Sequence, residues 1–486
     1  MSAFAVLSVI LAYFLIILVI SYFTGRKADN EAFFLGNRQS PWYVVAYGMI
    51  GASLSGVTFI SIPGWVGDSQ LSYMQMVIGY LLGYFLIANI LLPLYYKLKL
   101  TSIYTYLDER FGFWSYKTGA GLFLISRLIG ASFRLYLVAG VLHLSIFGLW
   151  GIPFWITVVI TILLIWLYTN RGGIKTIIWT DTLQTTFMLV AVAVTVIFIS
   201  KALELDWKGL SRAIRDSEFS RIFYFTDWND SRHFAKQFLS GAFIAVVMTG
   251  LDQDMMQKNL SCRNLREAKK NMYWLSILLI PVNILFLSLG ALLYIFAARM
   301  GVAVPERTDD LFPLIATQGY LWPIVTVFFI IGLVAAAYSS ADSALTSLTT
   351  SFTVDILNPK DKSENHLAAS RKKVHVLISV LLLLFILLFR LINDQSVISA
   401  VFTAAGYTYG PLLGLYGFGL FTKYKVKDKW VPLIAVLSPA VCYIISTHSE
   451  QWFKGYEMGF ELLILNGFLT FVGLFIIRTI PQSITK

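Results

Sequence analysis

The sequence predicts an all-helical protein that crosses a membrane many times. Three observations lead there. Only 13% of the 486 residues are charged, where a soluble domain carries about 25%. Apolar residues make up 57% and the mean hydropathy is +0.71, which leaves too little polar surface to wrap a water-soluble globule. Apolar stretches of about 20 residues, enough to cross a bilayer as a helix, recur along the whole chain.

Thirteen such segments are expected, at 3–23, 41–65, 71–96, 118–146, 151–168, 176–200, 234–257, 271–299, 320–352, 372–392, 396–420, 431–446 and 459–479. Segment 1 has no basic leader before it and is too long for a signal peptide, so it reads as a retained span. Segment 2 is rich in glycine and hydroxyl residues. Segment 4 carries Arg127 and Arg134, and segment 6 carries Asp181. The polar stretch 201–233 follows, with a surface helix expected over 207–223. Segment 7 ends on Asp252 and Asp254, segment 9 holds Asp342, and segment 12 is short.

Orientation follows from the basic residues. With the N-terminus outside, loops 24–40, 97–117, 169–175, 258–270, 357–373, 422–430 and 477–486 face the cytoplasm and carry 25 of the 38 Lys and Arg. That is the positive-inside pattern, giving N-terminus out and C-terminus in. The net charge of +11 is thereby topogenic and calls for no nucleic-acid partner. Two cysteines, Cys262 and Cys442, cannot build a disulfide framework or a metal site.

An ionisable group at mid-bilayer costs roughly 2.5–3.5 kcal/mol on insertion scales, so each one needs a reason. Arg127, Arg134, Asp181, Asp252, Asp254 and Asp342 either pair to lock the bundle or serve a transported species. Segment 9 crowds Ser339, Ser340, Asp342 and Ser343 into two turns. Ser339 and Ser343, at i and i+4, share a face, and oxygen-only clusters of this kind suit hard cations. Small residues that merely let helices approach account for Thr346 and Ser347, less well for the rest.

Segment 2 reads from Ala46 to Gly64 with Gly48, Gly51, Gly56, Pro63 and the hydroxyls of Ser53, Ser55, Thr58 and Ser61. Such a composition predicts an unwound stretch with free carbonyls, tolerated only beside a cavity or ion site. Segment 7 has a milder interruption at Ser240-Gly241 and Thr249-Gly250. Two interrupted segments five apart point to an inverted repeat. The chain then divides into 1–40, a first repeat at 41–200 (segments 2–6), the outer loop 201–233, a second repeat at 234–421 (segments 7–11), and peripheral helices at 422–486.

Several motifs carry a resemblance. They are Phe34-Leu35-Gly36-Asn37-Arg38; Leu92-Pro93-Leu94-Tyr95-Tyr96 with Thr101 to Leu107; Gly172-Gly173 before Trp179-Thr180-Asp181-Thr182-Leu183-Gln184; Asp252-Gln253 with Gln257-Lys258; and the segment 9 serine cluster. Together, from about Phe33 to Phe421, the chain resembles the sodium/solute symporter family, whose members carry glucose, proline, iodide or sialic acid with sodium. The resemblance implies the LeuT-type five-plus-five fold, alternating access, sodium as the coupling ion, a plasma-membrane location and a monomeric carrier.

By the same resemblance, the common sodium site would use the carbonyls of Gly51, Leu54 and Ala336 and the hydroxyls of Ser339 and Ser340. A second sodium would use Asp181, Ser339, Asp342 and Ser343. Asp342 departs from the serine found in such members, which leaves either a tighter second sodium site or a proton-binding carboxylate in its place. Substrate would lie at mid-membrane against Ser53, Ser55, Thr58 and Ser61 of segment 2, Gln75 of segment 3 and Arg134 of segment 4. Arg134 matches the sialic acid carriers, where an arginine pairs with the sugar's carboxylate. A guanidinium fork suits that group. A carboxylate-bearing sugar is the expected substrate, with a neutral sugar, a monocarboxylate or another small anion as alternatives.

An enzyme is excluded on the residues themselves. The five histidines, His143, His233, His366, His375 and His448, are scattered and form no catalytic or metal-binding spacing. A channel would show a polar stripe along several helices, whereas polarity here gathers at mid-depth.

Overall fold

The computed structural model describes residues 3–26, 29–357, 364–392 and 397–479. Lys27, Lys360, Lys362 and Lys486, counted above on the inner side, lie outside the described residues. The chain is mostly helical. Among the described residues, eight helices are long and apolar enough to cross a membrane, or ten when two bent pairs are each taken as one span. Two shorter apolar helices, Phe154–Thr169 and Leu462–Ile476, coincide with expected segments 5 and 13. Segment 11 is a helix at Val397–Phe421.

The two bent pairs are segments 2 and 7. Segment 2 is Trp42–Leu54 followed by Gly56–Ser69, bent by 55°, with Ser55 between them at φ 11°, ψ 173°. Segment 7 is Phe234–Gly250 followed by Gln253–Leu260, bent by 65°. Asp252 caps its inner half, accepting from the backbone N–H of Asp254 at 2.8 Å and of Met255 at 3.4 Å. That cap explains why a carboxylate stands where hydropathy ends the span.

Several boundaries differ from expectation for local reasons. Segment 8 begins at Leu265, where Asn264 accepts from the N–H of Glu267 at 3.0 Å. Its first turn is polar and so invisible to hydropathy. The surface helix is shorter than expected. It spans Trp207–Arg215, capped by Asp206, and a separate turn occupies Glu218–Ser220. A two-stranded antiparallel ribbon pairs Lys425 with Thr479 and Val426 with Arg478, joining the ends of segments 11 and 13.

Segments 3 and 7 approach backbone to backbone. A Cβ on Gly79 would overlap the Phe238 carbonyl, one on Gly83 the Ala242 carbonyl, and one on Gly241 the Met76 carbonyl. Small residues at such crossings let membrane helices reach van der Waals contact. Ser240-Gly241, expected as an interruption, is instead part of this contact.

Candidate substrate and ion sites

The break in segment 2 organises the centre of the bundle. An α-helix leaves its last four carbonyls without intrahelical partners. Because the first half ends at Leu54, those carbonyls belong to Gly51, Ala52, Ser53 and Leu54. Gly51 and Leu54 were the expected ligands. The break lies against segment 9: a Cβ on Gly56 would come within 3.6 Å of the Ala337 Cα. Ser339 and Ser340 are buried one turn further along. Ser340 Oγ reaches the Ala336 carbonyl at 3.4 Å, and Thr185 Oγ1 holds the Gly51 N–H at 3.1 Å.

At the segment 7 break two carbonyls have tyrosine donors. Tyr95 donates to the Gly250 carbonyl at 2.8 Å and Tyr104 to that of Leu251 at 3.0 Å. The two breaks therefore differ chemically. Tyrosines reach the carbonyls of one; among the described residues no side-chain donor reaches the Gly51 to Leu54 carbonyls of the other.

Beside the segment 2 break is a cavity of about 90 Å³, measured for the centre of a water-sized sphere. Ser53, Ser55 and Thr58 line it from segment 2, Tyr80 and Tyr84 from segment 3, Arg127 and Arg134 from segment 4, Thr249 from segment 7, Asn283 from segment 8 and Phe402 from segment 11. Arg134 is 8% exposed, and among the described residues no carboxylate pairs with it. Its Nε and the Ser53 Oγ are buried without hydrogen-bond partners. A charged donor fork and an unsatisfied hydroxyl thus face the same space.

Arg127 differs. Its guanidinium pairs with Asp254 and lies 3.8 Å from Asp252. Asp252 also accepts from the Tyr409 hydroxyl. This network ties segments 4, 7 and 11 together, with Arg127 in the cavity wall.

Gln75 requires a correction. It was expected to face substrate, yet it does not line the cavity. Its amide N–H groups reach the carbonyls of Ser72 at 3.3 Å and Arg232 at 2.9 Å, and its oxygen accepts from the Tyr224 N–H at 3.1 Å. Gln75 is spent on holding the outer loop. Ser61 is likewise buried and outside the cavity lining.

The residues expected around a second ion are partly gathered. Ser339 Oγ donates to Asp181 Oδ1 at 2.6 Å. Asp342 accepts from the Tyr168 hydroxyl at 2.9 Å and from the Ser343 N–H at 2.5 Å. Ser343 Oγ has no hydrogen-bond partner among the described residues. Asp181 Oδ2 accepts from Lys258 Nζ at 2.7 Å. Lys258, counted above among the cytoplasmic-loop cations, is 1% exposed on the inner half of segment 7. Hydropathy alone placed it outside; the Gln257-Lys258 motif was the signal available.

A family model for sodium:solute symporters matches residues 33–427. The chain belongs to that family. It is a multi-pass membrane transporter and not an enzyme. Among its relatives, the sodium/sialic acid symporter SiaT of Proteus mirabilis is 27% identical over 427 residues, covering 84% of this chain and 82% of the relative. The sodium/sialic acid symporter NanT of Aliivibrio fischeri is 24% identical over 470 residues, covering 92% and 89%. The mouse sodium-coupled monocarboxylate transporter 1 is 24% identical over 414 residues, covering 82% and 66%. Among solved structures, a sodium-coupled sialic acid symporter in a substrate-bound outward-open state superimposes with a TM-score of 0.81 at 22% identity, covering 97% of both chains. A nucleobase-cation-symport-1 family transporter gives 0.59 at 14% identity, covering 90% of this chain and 92% of its own. At these identities the likeness to solved structures speaks for the fold.

Proposed function

We propose that the protein is a sodium-driven symporter importing a small solute that bears a carboxylate on a polyhydroxylated frame, a sialic acid or similar sugar acid. One observation carries the substrate class: Arg134, charged and without an acidic partner among the described residues, lines the cavity at the segment 2 break. A buried cation without a counter-ion is costly, and an anionic ligand supplies the missing charge bidentately. Ser53, Ser55 and Thr58 supply hydroxyls beside it, which favours a sugar acid over a short monocarboxylate. The relatives SiaT and NanT, both sodium/sialic acid symporters, support the same reading. Sodium is held at the common site by the carbonyls of Gly51, Leu54 and Ala336 and the hydroxyls of Ser339 and Ser340. Thirteen helices with the N-terminus outside, two inverted units of five, and a monomeric carrier complete the proposal.

The test is a sodium-dependent thermal-shift screen of sialic acid, glucose and lactate. A ligand at about 100 times its Kd stabilises the folded state by about 2.7 kcal/mol. Sialic acid will raise the melting temperature in sodium and much less in potassium. Stabilisation by glucose alone would overturn the carboxylate assignment.

Ser339→Ala and Ser340→Ala will each raise the sodium half-saturation of uptake about tenfold or more. Each removes one oxygen from a buried cation, and about 1.4 kcal/mol is tenfold in affinity. Unchanged sodium activation in both variants would remove these hydroxyls from the ion site.

A further inference from the structure

Lys258 occupies an unusual position. Its ammonium lies 2.7 Å from Asp181 Oδ2, and both side chains are 1% exposed. The other oxygen of Asp181 already accepts from Ser339 at 2.6 Å. Both carboxylate oxygens are therefore engaged by donors, one of them a full positive charge. Asp342 brings a second buried carboxylate to segment 9, held by Tyr168 and its own neighbour's N–H. Ser343, whose Oγ has no hydrogen-bond partner among the described residues, would belong to any free-ion site built on Asp181.

Ammonium and sodium carry the same charge and seek the same carboxylate oxygens. A lysine is a compact point charge on a four-carbon stem. Unlike a free ion, it arrives at effectively unlimited local concentration and cannot be transported. We propose that Lys258 is a tethered cation standing in for a second sodium at Asp181, so that each cycle couples to a single free sodium, bound at the segment 2 break. The inference rests on the sodium-symport reading and sets its stoichiometry. Lys258 lies on the inner half-helix of segment 7, Asp181 on segment 6, and Ser339 belongs to both the ion pair and the proposed sodium ligand set. Loss of sodium therefore frees Ser339 while the Lys258 charge stays with Asp181.

The experiment counts radioactive sodium bound per purified full-length chain in nanodiscs, alongside the steepness of sodium-dependent thermal stabilisation. Wild type will bind one sodium with a Hill slope of one. Lys258→Met opens Asp181 and will bind two, its slope rising towards two. Lys258→Arg, which keeps a cation on the stem, will stay at one. The neutral double variant Asp181→Asn with Lys258→Met removes both charges of the pair and will also bind one. Two sodium ions in wild type or in the double variant would overturn the proposal, as would a folded Lys258→Met that still binds one. If Lys258→Met does not fold, the wild-type and double-variant counts decide. No sodium binding by wild type would overturn the symport reading itself, an outcome distinct from a count of two.

Discussion

Arg134→Ala will abolish measurable high-affinity binding of a carboxylate substrate while leaving the protein folded. Truncating one partner of a buried hydrogen-bonded charge pair costs about 2–5 kcal/mol of binding, which is roughly 30-fold to several thousand-fold in Kd. The unliganded protein loses little, because no acidic side chain among the described residues depends on this guanidinium. Removing a desolvated charge without a counter-ion is neutral or stabilising. Arg134→Lys will be nearly as damaging to binding, since an ammonium cannot present two parallel donors. Titration calorimetry with sialic acid, paired with thermal melts of the unliganded variants, separates the two effects. An alanine variant that binds sialic acid with wild-type affinity would return Arg134 to a structural role.

Arg127→Ala will do the reverse. Arg127 lies seven residues away, two turns along the same helix and on the same face, and it lines the same cavity. It is the cation for Asp254 and Asp252, both 0% exposed. Breaking a buried pair from one side costs about 3–5 kcal/mol, because the remaining charge has nowhere to go. Here two carboxylates are left behind, one of them also the cap of the inner half of segment 7. The variant will melt well below wild type even without ligand. Adding Asp254→Asn to Arg127→Ala will recover part of the loss. An Arg127→Ala protein as stable as wild type would show that the network contributes nothing to the fold.

These two arginines illustrate what the sequence could convey. Both were visible as charges inside a span, but only the placement of Asp252 and Asp254 across the bundle separates a neutralised guanidinium from an open one. Membrane crossing and most segments were legible because the bilayer imposes one length and one composition on every span. The segment 2 break was legible because glycine and hydroxyl residues concentrate there. Segment 7 was harder. Thr249-Gly250 does mark its bend, whereas Ser240-Gly241 is a helix contact, and one sequence cannot distinguish the two uses of a small residue. Lys258 was misplaced because it follows an apolar run, where hydropathy gives depth but says nothing of which neighbour takes the charge. Gln75 was set against substrate by the family resemblance, which carries a position but not the local partners of its amide.

The two halves of segment 7 answer to different masters. Three interlocking glycines hold the outer half against segment 3, backbone close upon backbone. The inner half is gripped by polar bonds to the rest of the bundle: Lys258 to Asp181, Asp254 to Arg127, and Gln257 to the Phe34 carbonyl and Thr350. Only Leu251 and Asp252 separate them. Tyr96, at the inner end of segment 3, also donates to the Asn259 carbonyl at 2.9 Å, so segment 3 holds both arms and the two-residue joint between them is a fulcrum braced from one side.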